Sequence, residues 1–126
     1  MATKKKAVKT KAVITNAAKN AAEIWILPDG SVFPPSGVQL DGNGVKHPSK
    51  VYWQAQDITK TYQIVLQNPP APFKNVTFPI QTDASGATPA LKVDKKYPNG
   101  IYGYSVMQLI REKFIKTSAG GIIIDS

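Results

Sequence analysis

Ser49-Lys50-Val51-Tyr52-Trp53-Gln54-Ala55-Gln56-Asp57-Ile58-Thr59-Lys60-Thr61-Tyr62-Gln63-Ile64-Val65-Leu66-Gln67-Asn68 is the only long proline-free window between Pro28 and Pro98. Within it Val51, Trp53 and Ala55 alternate with Tyr52, Gln54 and Gln56, and Tyr62, Ile64 and Leu66 alternate with Thr61 and Gln63. A period of two sends one set of side chains toward a core and the other toward water, so the window predicts two strands. Outside it, prolines at 28, 34, 35, 48, 69, 70, 72, 79, 89 and 98 punctuate the chain. Each would cost a helix interior about 3 kcal/mol through a lost hydrogen bond and a clash with the preceding turn.

Further β-rich runs stand at Ile24–Leu27, Val38–Leu40, Val76–Ile80, Ala90–Val93, Ile101–Val106 and Ile122–Ile124. Turn chemistry separates them at Pro28-Asp29-Gly30, Asp41-Gly42-Asn43-Gly44, Asn68-Pro69-Pro70, Ser85-Gly86 and Pro98-Asn99-Gly100. About eight short strands at this spacing predict a single all-β sandwich or small barrel. Two stretches read both ways. Met107, Ile110 and Phe114 have helical spacing, yet a hairpin turning near Arg111-Glu112-Lys113 fits equally well. Ala12–Ala22 is a short stretch that would form a helix only when docked.

At 126 residues the chain allows one ordinary domain. Its net charge of +8 is unevenly placed: residues 1–22 hold 6 positive charges and no negative one, whereas residues 23–126 hold 10 positive and 8 negative, a net of +2. The division expected is a flexible basic arm over 1–22 and a near-neutral β domain over 23–126.

With no cysteine the chain cannot form disulfides, thiolate metal sites or a cysteine nucleophile. Ala12-Val13-Ile14 is interrupted by Thr15, Asn16 and Lys19 before it reaches signal-peptide length, and no run of about 18 apolar residues exists to span a membrane. A cytoplasmic protein without membrane contact is the expectation.

Three segments, in order, resemble the cupredoxin (plastocyanin-type) family: Phe33-Pro34-Pro35-Ser36-Gly37-Val38, Val51-Tyr52-Trp53-Gln54-Ala55-Gln56-Asp57 and Gly100-Ile101-Tyr102-Gly103-Tyr104-Ser105-Val106. Immunoglobulin-like sandwiches use similar strands, and the ordered set carries the resemblance. It implies a Greek-key β-sandwich. It also implies where copper ligands would fall, and there the sequence departs. Thr61 and Tyr62 stand in the neighbourhood of the first histidine ligand, Val106 stands for the cysteine, and no histidine follows it. A blue-copper centre needs two imidazoles and a thiolate in trigonal array. His47 is the only histidine and precedes both places. A lone Met107 is core filling more often than an axial ligand. No metal and no cofactor are expected.

Other motifs are incomplete. Asp41-Gly42-Asn43-Gly44 begins like a calcium loop, but Lys46 replaces the glycine at position six and Tyr52 the closing glutamate, so a plain turn is the reading. Asp83-Ala84-Ser85-Gly86-Ala87 lacks the flanking glycines of a nucleophile elbow. Asn75-Val76-Thr77 matches a glycosylation sequon, taken as chance without a secretion signal. His47, between Lys46 and Pro48, reads as a surface residue rather than a general base. Trp25, alternating with Ile24 and Ile26, raises the question of an exposed aromatic strand face, against a core role as the simpler reading.

No catalytic residues are assigned, and enzyme is the least supported class. The leading expectation is a non-enzymatic protein-interaction or structural module that binds a protein partner or itself, using loops such as Gln39–Ser49 and Asn68–Lys74. The alternative is a nucleic-acid-binding or packaging protein whose Lys4, Lys5, Lys6, Lys9, Lys11 and Lys19 contact phosphates. An extended arm of this length reaches roughly 70 Å. Against that stands the reading of the arm as a solvating tail.

Overall fold

A computed structural model describes residues 21–67 and 71–126. The arm lysines Lys4, Lys5, Lys6, Lys9, Lys11 and Lys19, and the Asn68-Pro69-Pro70 turn, lie outside the described residues. Nine strands and no helix occur among the described residues: β1 (Ala21–Ile26), β2 (Val32–Phe33), β3 (Val38–Leu40), β4 (Lys50–Ala55), β5 (Tyr62–Leu66), β6 (Ile80–Gln81), β7 (Leu91–Lys92), β8 (Gly100–Ile110) and β9 (Lys113–Ile124).

They form two mixed sheets, in the orders β2-β1-β4-β7 and β3-β9-β8-β5-β6. β1 and β4 are parallel, as are β3 and β9, and the other pairs are antiparallel. The inward half of the alternation in the opening window is kept: Val51, Trp53 and Ala55 of β4 face Tyr62, Ile64 and Leu66 of β5 in one apolar core, joined by Ile24, Ile26, Tyr104, Val106, Ile122 and Ile124. The outward half is not: Tyr52 and Gln54, expected to face water, are buried as well, the Tyr52 hydroxyl bonding Glu23 and the Gln54 amide bonding the Ser85 carbonyl, and of that set only Gln56 is exposed. Trp53 and Tyr104 meet edge to face, with ring centroids 5.1 Å apart and planes at 79°.

Several expectations need adjustment. Of the two readings of Met107–Phe114 the hairpin is the one observed, β8 and β9 closing through a two-residue turn at Arg111-Glu112. Both turn residues have positive φ, 50° and 69°, which matches the right-handed twist of the flanking strands. Of Val76–Ile80 only Ile80 is in a strand. β2 was not anticipated as a separate strand; it is two residues long, too short to show alternation. β1 opens at Ala21, so Ala21 and Ala22 of the expected arm are strand, paired with Lys50 and Val51. Trp25 is buried together with Ile24 and Ile26, so that strand does not present an exposed aromatic face.

The strand directions sort the connections into two ends. The 27–31, 56–61 and 82–90 connections and the Arg111-Glu112 turn lie at one, here the hairpin end. The start of β1, the 41–49 and 93–99 loops and the chain's final residues lie at the other, the arm end.

Candidate functional site

At the hairpin end three turns are built alike. Asp29 Oδ1 accepts from the Ser31 amide (2.9 Å) and hydroxyl (2.6 Å), Asp57 Oδ1 from those of Thr59 (3.0 and 2.6 Å), and Asp83 Oδ1 from those of Ser85 (2.9 and 2.6 Å). The spacing Asp-x-Ser/Thr is the sequence signature of such turns. In each, the hydroxyl bond followed by backbone amides holds the carboxyl below its ordinary range. These carboxylates are committed to their own loops.

The β8–β9 hairpin projects past this rim. The last β5 pairing is Tyr62 with Gln108, and the Leu109 amide still donates to the Thr61 carbonyl (2.9 Å), so the Ile110–Lys113 pair and the turn extend past the segment hydrogen-bonded to β8. Thr117 interrupts the ladder between the Val106–Ser118 and Met107–Lys116 pairs, a bulge that bends the hairpin. There Thr117 Oγ1 (3.0 Å) and Ser118 Oγ (2.6 Å) both donate to the Gly30 carbonyl, tying β9 to the β1–β2 turn. Beyond the bulge Leu109, Ile110 and Ile115 are 40%, 42% and 47% exposed, and Ile58 on the neighbouring turn is 56% exposed. Charges of both signs surround them: Lys60, Arg111, Lys113 and Lys116 against Asp29, Asp57, Asp83 and Glu112.

The positions that a cupredoxin-type centre would use lie just beneath. Tyr62 and Val106 are fully buried and belong to the apolar core. Tyr62 Oη has no hydrogen-bond partner among the described residues. Burial, then the charges of Asp57 and Asp29, push its phenol up. Met107 lies on the opposite face of β8 from Tyr104 and Val106 by strand alternation. An aliphatic side chain and a neutral phenol are not a copper donor set, so these residues do not fit that metal. His47 sits at the far end, half-buried, with Nε2 3.7 Å from Asp125. Among the described residues no three of His, Cys, Asp and Glu converge to hold a metal ion.

The Asp41-Gly42-Asn43-Gly44 segment is a turn at the arm end, and its aspartate turns inward to the chain. Asp41 accepts from the amides of Asn43 (2.8 Å), Lys46 (2.8 Å) and Val45 (3.1 Å), which hold its carboxyl low, Lys46 contributing most. A groove of about 440 Å³ between β5 and the 71–79 connection is lined by Val65, Leu66, Ala71, Val76, Thr77, Phe78 and Pro79. It offers apolar contact and a single hydroxyl.

The arm end is the basic pole. Lys46, Lys50, Lys74, Lys92, Lys95 and Lys96 gather there against Glu23, Asp41, Asp94 and Asp125. Glu23 accepts a 2.6 Å bond from the Tyr52 hydroxyl, while Lys46 pairs with Asp125 at 3.4 Å. Comparison with family models and with curated proteins finds no match. No helix among the described residues is long and apolar enough to cross a membrane.

Proposed function

We propose that this chain is a non-enzymatic β-sandwich module of cupredoxin-like, Greek-key build that associates with a second copy of itself through its hairpin end. The passage of the chain from one sheet to the other between β2 and β3, with parallel β1–β4 and β3–β9 pairs, supports the fold reading. A tight Arg111-Glu112 turn occupies the place of a metal-binding loop in that reading. The observation that carries the functional reading is the hairpin tip, where Leu109 and Ile110 lie past the last β5 pair and Ile115, level with that pair, is exposed beside them.

Two features favour a like partner. Charges of both signs share this end, so the same patch can face its copy without a single-sign repulsion. The turn also keeps two charged residues at positive φ, where Asn-Gly would be less strained, and strain retained at a surface turn accompanies function. Light scattering on the full chain across a wide concentration range tests this. A dimer that Ile110→Lys dissociates is expected; a monomer at every concentration overturns the reading.

A second reading, nucleic-acid binding through the N-terminal lysines, is favoured by one placement: β1 begins at the basic pole, so residues 1–20 join the domain among its own lysines. Salt-dependent binding to duplex DNA, lost on neutralising the six arm lysines, is the expected outcome, with a log–log slope no steeper than about −5 for those six.

A further inference from the structure

Lys50 and Lys92 are direct partners across the antiparallel β4–β7 ladder. β7 is flanked in turn by residues 72–74: Phe73 bridges Val93, the Lys74 amide donates to the Lys92 carbonyl (3.0 Å), and the Asp94 amide donates to the Pro72 carbonyl (2.8 Å). That register sets Lys74 opposite Lys92. On each strand the inward neighbour is buried: Val51 beside Lys50, Leu91 beside Lys92, Phe73 beside Lys74. By alternation the three lysines therefore share the outer face of the sheet, and all three are exposed.

The result is a rank of like charges, Lys50–Lys92–Lys74, across three adjacent chain segments, spanning about 10 Å at the usual strand spacing. Like charges placed directly opposite in a ladder destabilise it. Among the described residues none of the three has a carboxylate within 4.0 Å, the lysine–carboxylate pairs there being Lys46–Asp125 and Lys60–Asp57. The next place in the same rank, on the other side of Lys50, is Ala21, where the chain enters the sheet from residues 1–20. Lys19 is two positions upstream of it.

We propose that this rank is a phosphate-binding surface that continues the N-terminal lysines onto the folded domain and holds the backbone of a nucleic acid. The proposal rests on the nucleic-acid reading above and moves part of the contact from arm to sheet. Lysines contact phosphates as point charges without reading bases, so the surface is sequence-independent. A bound polyanion would relieve the repulsion that the free protein carries in this rank.

The test uses the full chain, a random-sequence DNA duplex and two variants. One carries Lys50→Gln, Lys74→Gln and Lys92→Gln; the other carries Gln at the six arm lysines. The sheet variant should lower the magnitude of the salt slope by about 2–3. It should also melt at or above the wild-type temperature, since repulsion has been removed, which separates lost contact from lost folding. An unchanged slope in the sheet variant, with binding lost in the arm variant, overturns this inference and leaves the arm reading standing. Full binding by the arm variant overturns the arm reading while the rank survives. Equal binding to phosphatidylcholine vesicles containing one third phosphatidylserine overturns the nucleic-acid assignment, because a membrane surface would then serve as well. A sheet variant that melts lower than wild type overturns the repulsion on which the argument stands.

Discussion

Trp53 and Thr88 exchange two hydrogen bonds in which a side chain stands in for backbone: the Trp53 amide donates to Thr88 Oγ1 (3.0 Å), and the Thr88 amide donates to the Trp53 carbonyl (3.0 Å). Tyr62 and Thr82 repeat the arrangement in the other sheet, with the Tyr62 amide on Thr82 Oγ1 (3.0 Å) and the Thr82 amide on the Tyr62 carbonyl (3.0 Å). Both threonines are buried, so each hydroxyl satisfies an amide that water cannot reach.

Replacing either hydroxyl by a methyl group should therefore strand a buried amide. Thr88→Val and Thr82→Val are each expected to cost about 1–3 kcal/mol, while Thr→Ser at the same places costs less. Urea unfolding measures both. Equal losses for Val and Ser would mean that the hydroxyl is not the stabilising atom.

The edge-to-face contact of Trp53 with Tyr104 depends on a glycine opposite. Tyr104 pairs with Gly120, and a Cβ there would collide with the Tyr104 hydroxyl and ring. Gly120→Ala should destabilise by about 1–3 kcal/mol as overpacking does. In a Tyr104→Leu background the same change should cost much less. Additive losses in the double variant would show that the two positions do not meet.

Acid should weaken the fold through four aspartates. Asp29, Asp41, Asp57 and Asp83 are all held below the ordinary 3.8 in the native state by hydrogen bonds to their charged forms. Below that value the unfolded chain binds more protons than the native one, so stability is full above it and falls as pH drops through the native values. Melting temperature should be flat from neutrality to about pH 4 and decline beneath it. Asp41→Asn should flatten part of that decline. A melting temperature that rises on acidification would reverse the sign of the argument.

The tip can be relaxed without touching its apolar side chains. Arg111→Asn with Glu112→Gly gives the turn the residues that positive φ favours, and about 1 kcal/mol of added stability is expected. If the two charges also contribute to association, the relaxed chain will be more stable and yet associate less. Stability and association rising together would mean that Arg111 and Glu112 take no part in the contact.

The opening window made two core strands legible. Val51, Trp53, Ala55, Tyr62, Ile64 and Leu66 share the core because a pleated chain alternates its side chains, which requires only local geometry, whereas the burial of Tyr52 and Gln54 on the other face of β4 comes from what packs over it. Proline and glycine signals such as Pro28-Asp29-Gly30, Ser85-Gly86 and Pro98-Asn99-Gly100 placed connections for the same reason. Missed elements were those without local pattern. β2 has two residues, while the Met107–Phe114 run reads equally as helix or hairpin until pairing of β8 with β9 decides for the hairpin.

Composition alone established a lysine-rich start, a near-neutral remainder and the lack of a thiolate-imidazole donor set, since charge and ligand chemistry belong to residues wherever they lie. Only folding placed Lys50, Lys92 and Lys74 in one rank and left Leu109, Ile110 and Ile115 exposed at the hairpin tip. These residues are far apart along the chain or hidden in an ambiguous period. Strand register, set by the whole sheet, decides which side chains become neighbours and which stay bare.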